Sequence, residues 1–241
     1  MVSAATRLKR AYVASARVAG QGLIKAGIAS ADVPPVEDRW AHWRHSLTKI
    51  YDSVAMMELD VPWWTYDAIA EVDAWLAARR RGGRPLRVFE YGSGASTLWL
   101  SSRVDEVFTV ENDRSFGELM AQRFADIENI SLRVVEPVAS PAPLITSAKD
   151  GYAGQDFSDY VHAIDDVVGE FDLVVVDGRA REACLAYAAP RVAPGGIILV
   201  DNSRRRRYRD AIAASGLVER RLPGLTPTLP YPDQTSLLTA R

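Results

Sequence analysis

The chain has 241 residues, of which 48% are hydrophobic and 25% charged, and its formal net charge is −2. This length suits one α/β domain with an extension, and the near-neutral charge gives no general attraction to nucleic acid, so no nucleic-acid partner is expected. Cys184 is the single cysteine, which excludes an intrachain disulfide and gives no sign of an oxidising compartment. No apolar run reaches the roughly 18 residues needed to span a bilayer, so we expect a cytoplasmic protein.

Residues 1–34 are predicted to form a basic amphipathic tail. Its charged side chains before Asp32 are all basic: Arg7, Lys9, Arg10, Arg17 and Lys25. Small apolar residues separate them, which favours a helix that contacts an anionic membrane peripherally. A secretory signal is not indicated, because Arg17 and Lys25 interrupt the apolar stretch that such a signal requires.

Residues 35–84 are predicted to form a helical extension that serves as a lid. Two helices around a short link are expected, and the second should begin near Thr65, because apolar residues follow it at helical spacing. Trp63 and Trp64 precede this helix and are predicted to close over a ligand. A polar segment at 79–85 then breaks the helical pattern.

Residues 85–241 alternate strand and helix patterns, which predicts an α/β domain with a parallel sheet. The expected strands are 87–91, 106–111, 131–136, 172–177 and 196–201. A helix from about 204 to Gly216 precedes two strand-like segments, 217–222 and 236–239, which predict an antiparallel hairpin at the sheet edge. Segment 137–168 is long, polar and aromatic, and a loop of that length is more often functional than idle.

The first predicted strand carries Glu90 near its end and leads into Gly92-Ser93-Gly94. Glycine lets the backbone turn sharply and lets a ligand approach closely, because it has no Cβ. The second predicted strand ends in Glu111, 111 − 92 = 19 residues after Gly92. A carboxylate at that point can accept hydrogen bonds from both hydroxyls of a ribose. The unit therefore predicts a nucleoside-binding site.

A dinucleotide is disfavoured as the ligand of this site. The G-x-G-x-x-G/A fingerprint of dinucleotide-binding folds fails at Thr97, where its third small residue should lie. A carboxylate at Glu90 would repel pyrophosphate and suits a cationic ligand instead. An ordinary strand–turn–helix unit without a ligand remains the alternative.

The pattern Glu90-x-Gly92-x-Gly94 resembles motif I of the class I S-adenosylmethionine (SAM) methyltransferases, with Ser96 in place of the third glycine of the fuller motif. The resemblance covers roughly residues 85–241. It implies a Rossmann-like, seven-stranded, mostly parallel sheet with a C-terminal antiparallel hairpin, and SAM as the cofactor. The residues assigned to the cofactor site are Glu90, Gly92, Gly94, Ser96, Thr97, Glu111, Asn112 and Glu136.

The fourth predicted strand ends in Asp177 and the fifth in Asp201-Asn202. Adjacent parallel strands lie about 4.8 Å apart, so these oxygen donors should converge beside the SAM pocket, where they predict a site for Mg²⁺ or a similar divalent cation. The arrangement resembles the metal triad of cation-dependent O-methyltransferases, although Ala180 stands where that family has a lysine base. The wider pattern resembles bacterial methyltransferases of sugars and natural products. In the alternative, Asp201 caps the following helix and Asp177 orients the methionine end of SAM.

The candidate catalytic residues are Asp177, Arg179 and His162. His162 is the candidate base, whereas Arg179 and its neighbour Arg181 cannot accept a proton. These two arginines either clamp an anionic substrate group or pair with Glu182 at the surface. The run Arg204-Arg205-Arg206-Arg207-Tyr208-Arg209 either starts a solvated helix or attracts an anionic acceptor.

These patterns predict a SAM-dependent methyltransferase that acts on a hydroxyl of a small molecule or sugar, with or without the help of a divalent metal. Two alternatives stay open. One is an enzyme of the same fold with N-methylating or metal-dependent hydroxylase-like activity. The other is a non-catalytic scaffold that binds a nucleoside or associates with a membrane. The acceptor and the oligomeric state do not follow from the sequence.

Overall fold

The computed structural model describes residues 32–49 and 53–241. The predicted basic tail, residues 1–34, lies outside the described residues except at 32–34. Within the described ranges, no helix combines the length and the apolar character needed to cross a membrane.

Among the described residues, three helices precede the sheet where the sequence predicted two from residue 36 onward: α1 (Arg39–Ser46), α2 (Ser53–Met57) and α3 (Tyr66–Arg80). Helix α2 is too short to show the 3.6-residue periodicity by which helices are recognised in a sequence. Helix α3 begins where it was expected, because Oγ1 of Thr65 accepts a hydrogen bond from the backbone N–H of Ala68 at 3.3 Å. This cap satisfies one of the free amides of the first turn.

The described residues form nine strands: β1 (Arg87–Tyr91), β2 (Glu106–Glu111), β3 (Ile130–Val134), β4 (Val138–Ala139), β5 (Gln155–Asp156), β6 (Phe171–Val176), β7 (Val192–Val200), β8 (Val218–Gly224) and β9 (Asp233–Thr239). Seven of them form one sheet in the order β3-β2-β1-β6-β7-β9-β8. The first five are parallel, whereas β9 runs antiparallel to both β7 and β8. The predicted Rossmann-like sheet with a C-terminal hairpin is confirmed.

Five further helices connect these strands: α4 (Ala95–Ser101), α5 (Arg114–Phe124), α6 (Ser158–His162), α7 (Arg181–Ala188) and α8 (Arg206–Ala214). The segment 137–168, predicted as a loop, contains the β4–β5 pair and α6. Elements of two to five residues leave no periodic signature, which is why the sequence indicated only a loop there.

Along the central strands of the sheet, successive side chains belong alternately to two apolar clusters. Leu173 and Val175 of β6 join the cluster that contains residues of α3 and α4, whereas Val174 and Val176 join the cluster that contains residues of α7. Successive side chains of a strand point to opposite faces, so both faces of the sheet are covered. Helix α3 contributes Leu76 to the first cluster, and the helical extension therefore shares its core with the sheet.

The topology brings several chain segments to one edge of the sheet. The parallel strands β1, β2, β6 and β7 all end at this edge. Strand β9 is antiparallel to β7, with Val200 opposite Ser236. Its first residue, Asp233, therefore lies at the edge where β7 ends, and the segments that follow the parallel strands meet the segment that precedes β9.

Candidate active site

A cavity of about 510 Å³, called the main cavity, opens at this edge of the sheet. Its size falls within the range of about 300–1,000 Å³ that is typical of small-molecule sites. It is lined by the turn after β1, the end of β2 and the loops after β6 and β7. Met56 and Trp63 of the helical extension also line it, as do Leu229 and Tyr231 from the loop between β8 and β9.

Two glycines let the segments after β1 and β6 touch. Gly92 has a φ of 98°, which lies in the left-handed region that favours glycine. A Cβ added to Gly92 would lie 3.0 Å from Cα of Gly178, and a Cβ added to Gly178 would lie 2.0 Å from Oη of Tyr160 and 3.0 Å from the carbonyl oxygen of Tyr91. The backbone N–H of Asp177 donates to that same carbonyl oxygen at 3.1 Å. This close approach sets Asp177 beside the glycine turn.

The Glu111 carboxylate reaches from the end of β2 to the glycine turn. Oε2 accepts hydrogen bonds from the backbone N–H and from Oγ of Ser93, both at 3.1 Å. Oε1 accepts from the backbone N–H groups of Asn112 at 2.8 Å and Asp113 at 2.9 Å. These four donors fix the carboxylate at the wall of the main cavity. These bonds fill the roughly four lone-pair sites of a carboxylate, so a ribose hydroxyl would take the place of the Ser93 hydroxyl, which can rotate away, while the three backbone N–H groups keep the carboxylate in position.

The structure brings nine of the predicted site residues to the main cavity. Five come from the predicted cofactor set: Gly92, Gly94, Ser96, Glu111 and Asn112. Four come from the predicted catalytic and metal sets: Asp177, Arg179, Asp201 and Asn202. The residues Glu90, Thr97, Glu136 and His162 do not line it.

Glu90 lies behind the turn instead of at the cavity wall. It is fully buried and accepts hydrogen bonds from Oγ of Ser96 and, at 2.5 Å, from Oγ1 of Thr97. Burial raises the pKa of Glu90 to about 8, although the bonds from these two hydroxyls oppose the rise, and the nearby Asp177 adds to it. Glu90 therefore fixes the start of α4 and does not line the main cavity.

Glu136 and His162 also lie away from the main cavity. Glu136 accepts a hydrogen bond from Nε of Arg114 at 2.7 Å, beside a separate cavity of about 320 Å³. His162 is half-exposed on α6, where its ring centroid lies 4.4 Å from that of Tyr187 and its Nδ1 lies 3.4 Å from Asp165. His162, the predicted base, therefore lies in surface contacts and does not line the main cavity.

The Arg181 guanidinium lies between the ends of β6 and β7. Nε donates to the carbonyl oxygen of Gly178 at 3.0 Å, and Nη2 donates to Asp177, to its carbonyl oxygen at 2.6 Å and to Oδ1 at 2.7 Å. Nη1 donates to the carbonyl oxygen of Asp201 at 2.6 Å and to Oδ1 of Asn202 at 3.2 Å. A guanidinium has five N–H donors, so each has a partner and none is left for a ligand.

The predicted metal ligands do not fit a divalent cation. Oδ1 of Asp177 and Oδ1 of Asn202 accept hydrogen bonds from Arg181, and Oδ2 of Asp201 lies 3.9 Å from Nη1 of the same guanidinium. Arginine stays protonated in proteins, and its charge would repel a divalent cation at this distance. Among the described residues, no group of three or more His, Cys, Asp or Glu side chains is arranged to hold a metal ion.

Asp201 does not cap the following helix either. Helix α8 begins after Arg205 and has no side-chain cap. Oδ1 of Asp201 instead accepts a hydrogen bond from Oγ1 of Thr235 at 2.8 Å, which joins the ends of β7 and β9. Burial raises the pKa of Asp201 well above its ordinary value, and the neighbouring Asp177 raises it further, while the Arg181 guanidinium opposes both effects.

Two residues next to Arg181, one in sequence and one in space, have an unusual backbone conformation. Ala180 has a φ of 47° and Asn202 a φ of 51°, so both lie in the left-handed region. This conformation costs a residue with a Cβ about 1–2 kcal/mol and is concentrated at functional sites. At Ala180 it forms the start of α7, where the buried Arg181 meets the ends of β6 and β7, and both Arg179 and Arg181 line the main cavity.

Asp233 is a cavity residue that the sequence analysis missed. Its Oδ2 accepts a hydrogen bond from Nδ2 of Asn202 at 2.9 Å, and it lines the main cavity. The signal that could have found it is the predicted antiparallel hairpin, because an antiparallel last strand begins at the edge where the parallel strands end.

Neither a protein-family model nor a curated protein matches this chain. Solved structures with a similar fold include an rRNA methylase from Streptococcus thermophilus, with 14% identity, a TM-score of 0.46, and coverage of 65% of this chain and 88% of that chain. A precorrin-6y C5,15-methyltransferase from Geobacter metallireducens has 14% identity, a TM-score of 0.46, and coverage of 71% and 88%. A methyltransferase-like protein from Silicibacter pomeroyi has 22% identity, a TM-score of 0.41, and coverage of 68% and 85%.

The order and direction of the seven strands in this chain establish the fold, which is the Rossmann-like methyltransferase fold that the sequence predicted.

Proposed function

We propose that this protein binds SAM and transfers its methyl group to a hydroxyl of a small molecule or sugar. The observation that carries the proposal is the Glu111 carboxylate, which four donors hold at the wall of a cavity that also contains the glycine turn and Asp177. Glu111 would accept hydrogen bonds from the ribose hydroxyls, and the open turn at Gly94 would lie against the rest of the ligand.

The charges of the main cavity favour SAM over a dinucleotide. Five carboxylates line it, against three arginines (Arg179, Arg181 and Arg205): Glu111, Asp113, Asp177, Asp201 and Asp233. SAM carries a sulfonium and an amine, which carboxylates attract, whereas a pyrophosphate would be repelled. Gly92, which takes a left-handed conformation and touches the segment after β6, gives the turn the close backbone packing that such a ligand site requires.

When bound, SAM supplies an electrophilic methyl group on its sulfonium sulfur. The acceptor hydroxyl must be held in line with that methyl group, and such positioning can contribute roughly 7–11 kcal/mol to catalysis. Trp63 and Tyr152 line the main cavity, and their rings would exclude water from the reacting atoms.

Asp177 is the proposed proton acceptor. Arg181 holds its Oδ1, while Oδ2 accepts no hydrogen bond from the described residues and is available to the acceptor hydroxyl. Burial raises the pKa of Asp177 above its ordinary value, although Arg181, Arg179 and Arg205 oppose the rise. A raised pKa makes a carboxylate a better general base near neutral pH.

The proposal is tested first by calorimetry with S-adenosylhomocysteine. Glu111→Gln should weaken binding by about tenfold or more, because hydrogen bonds to a charged group are worth about 1.5–3 kcal/mol. Glu106→Gln is the matched control on the same strand, since Glu106 is paired with Arg87 and does not line the main cavity. Equal affinities for the wild type and Glu111→Gln, or tighter binding of NAD, would overturn the assignment.

Catalysis is tested separately from binding. The protein should convert SAM with a labelled methyl group to S-adenosylhomocysteine when mixed with a panel of hydroxylated acceptors, and Asp177→Asn should slow the conversion while S-adenosylhomocysteine still binds. Transfer to amine acceptors only would favour N-methylation. Binding without any transfer would favour a non-catalytic scaffold.

A further inference from the structure

A smaller cavity of about 170 Å³, called the side cavity, adjoins the main cavity and shares Gly178, Arg179, Arg181, Asn202 and Arg205 with it. It is smaller than the pockets of about 300–1,000 Å³ that hold whole drug-sized ligands, so it suits a single chemical group. The charged residues that line it are Lys149, Arg179, Arg181, Glu182, Arg205 and Arg207. Because five cationic side chains and one carboxylate line the side cavity, it favours the binding of an anion.

Two of these cations are already committed to the protein. All five N–H donors of Arg181 have partners at the ends of β6 and β7. Nε of Arg207 lies 3.3 Å from Glu182, and its Nη2 donates to Oη of Tyr208 at 3.0 Å. Neither guanidinium is therefore the primary contact for a ligand.

Arg179 and Arg205 are differently placed. Within the part of the chain that the structure describes, neither forms an ion pair, and Nε of Arg179 is buried without a hydrogen-bond partner. The Arg179 guanidinium carbon lies 5.7 Å from the centre of the Tyr152 ring, and that of Arg205 lies 5.9 Å from the centre of the Tyr208 ring. A buried N–H of a charged group without a partner is costly, and a bound oxyanion would supply the missing acceptor.

The position of Arg205 also favours a bound anion. Arg205 precedes the first residue of α8, a helix of nine residues. The start of a helix disfavours cations and attracts anions, so an arginine there is unfavourable unless an anion binds beside it. A bound anion would thus satisfy the helix start, Arg205 and Nε of Arg179 together.

We propose that the methyl acceptor carries an oxyanion, a phosphate, sulfate or carboxylate, that binds between Arg179 and Arg205 in the side cavity. Its hydroxyl then lies beside Asp177 in the main cavity. This inference rests on the proposed function, because a methyl acceptor exists only if the protein transfers methyl groups. The anion site itself exists or fails independently of that transfer.

The test is calorimetric titration of inorganic phosphate, at constant ionic strength, into the ligand-free protein and into the protein saturated with S-adenosylhomocysteine. Sulfate and acetate form two further arms that identify the preferred oxyanion. Arg179→Gln and Arg205→Gln should each weaken phosphate binding by about tenfold or more, because each removes a charge-assisted contact. Arg204→Gln and Arg209→Gln are the matched controls, since both arginines are exposed and line neither cavity.

The outcomes separate this inference from the proposed function. Phosphate binding that is lost in Arg179→Gln and Arg205→Gln but retained in the two controls supports the site, even if S-adenosylhomocysteine does not bind. Absence of phosphate binding to the wild type, or equal loss in all four variants, overturns it. Competition between phosphate and S-adenosylhomocysteine also overturns it, because the arginines would then hold the carboxylate of the cofactor.

Discussion

Nη2 of Arg181 donates to Oδ1 of Asp177 at 2.7 Å, so a cation of the chain itself occupies the place where the sequence predicted a metal ion. Asp201 shares the same guanidinium, with Oδ2 at 3.9 Å from Nη1. The two carboxylates and the guanidinium thus form a charge cluster whose balance requires all three side chains. A divalent cation would have to displace a residue that makes five hydrogen bonds.

Replacing Arg181 with methionine should strongly destabilise the protein. The change leaves Asp177 and Asp201 near each other without a counter-charge, and breaking a buried ion pair by removing one partner costs about 3–5 kcal/mol. The free energy of unfolding, measured by chemical denaturation, should fall by this amount. Arg206→Met is the control, because that side chain is 89% exposed and its replacement should change stability by about 0.5 kcal/mol or less.

Divalent cations should distinguish the Arg181→Met variant from the wild type. Loss of the guanidinium frees the oxygens of Asp177, Asp201 and Asn202, which are the kind of ligands that Mg²⁺ prefers. We expect MgCl₂ to raise the melting temperature of the variant above that in NaCl of equal ionic strength, and to leave the wild type unchanged. A wild type that is stabilised by Mg²⁺ would show that a metal binds despite Arg181.

Glu90→Gln should change how stability depends on pH. Burial raises the pKa of Glu90 to about 8 from 4.5, so the folded protein holds a proton that the unfolded chain releases. The stability due to Glu90 is therefore fully present below pH 4.5 and is lost as pH rises through about 8. The variant has no such proton, and its free energy of unfolding relative to the wild type should increase across this window, by the order of a few kcal/mol. A difference that is constant with pH would contradict the raised pKa.

Gly178→Ala should disturb the contact between the segments after β1 and β6. The added Cβ would lie 2.0 Å from Oη of Tyr160 and 3.0 Å from the carbonyl oxygen of Tyr91, and such overpacking costs typically about 1–3 kcal/mol. Tyr160→Phe removes the hydroxyl, which is buried without a partner. The double variant should therefore be more stable than the sum of the single changes predicts, a coupling that a double-mutant cycle measures. Strict additivity would show that the hydroxyl is not the obstacle.

Trp63 should report ligand binding by fluorescence. It lines the main cavity, and its Nε1 donates to Oγ1 of Thr228 at 2.6 Å, which links the helical extension to the loop between β8 and β9. We expect S-adenosylhomocysteine to change tryptophan emission in the wild type and much less in Trp63→Phe. Trp40→Phe is the control, because Trp40 is 64% exposed and outside the cavity. An undiminished change in Trp63→Phe would mean that the ligand does not approach this wall.

The parts of the site that could be predicted from the sequence are those set by local geometry. The glycine turn and Glu111 follow from the end of a strand and the start of a helix. Glu90 was assigned to the cofactor site, but it lies on the same face of β1 as Val88. Val88 is buried in the cluster with α3 and α4. Alternation along β1 therefore placed Glu90 under the turn, and the motif alone did not reveal this.

The sequence did not indicate which of Arg179 and Arg181 bonds within the protein and which is left for a ligand. Both follow Asp177 within four residues, and Ala180 lies between them. Ala180 adopts the left-handed conformation, and Arg181, which follows it, makes five hydrogen bonds at the ends of β6 and β7, whereas Nε of Arg179 is buried without a partner. Hydrophobic periodicity in a sequence does not report a single backbone angle of this kind.

The antiparallel last strand has a consequence for biosynthesis. Strand β7 is a nine-residue, mostly apolar segment whose neighbour β9 begins 233 − 200 = 33 residues later. A chain that ends before Asp233 and leaves the ribosome has no β9, so one edge of β7 stays unpaired. An open apolar edge can pair with other chains, which is a route to aggregation. Such a truncated chain lacks the Asp233 side of the main cavity and is also prone to aggregate.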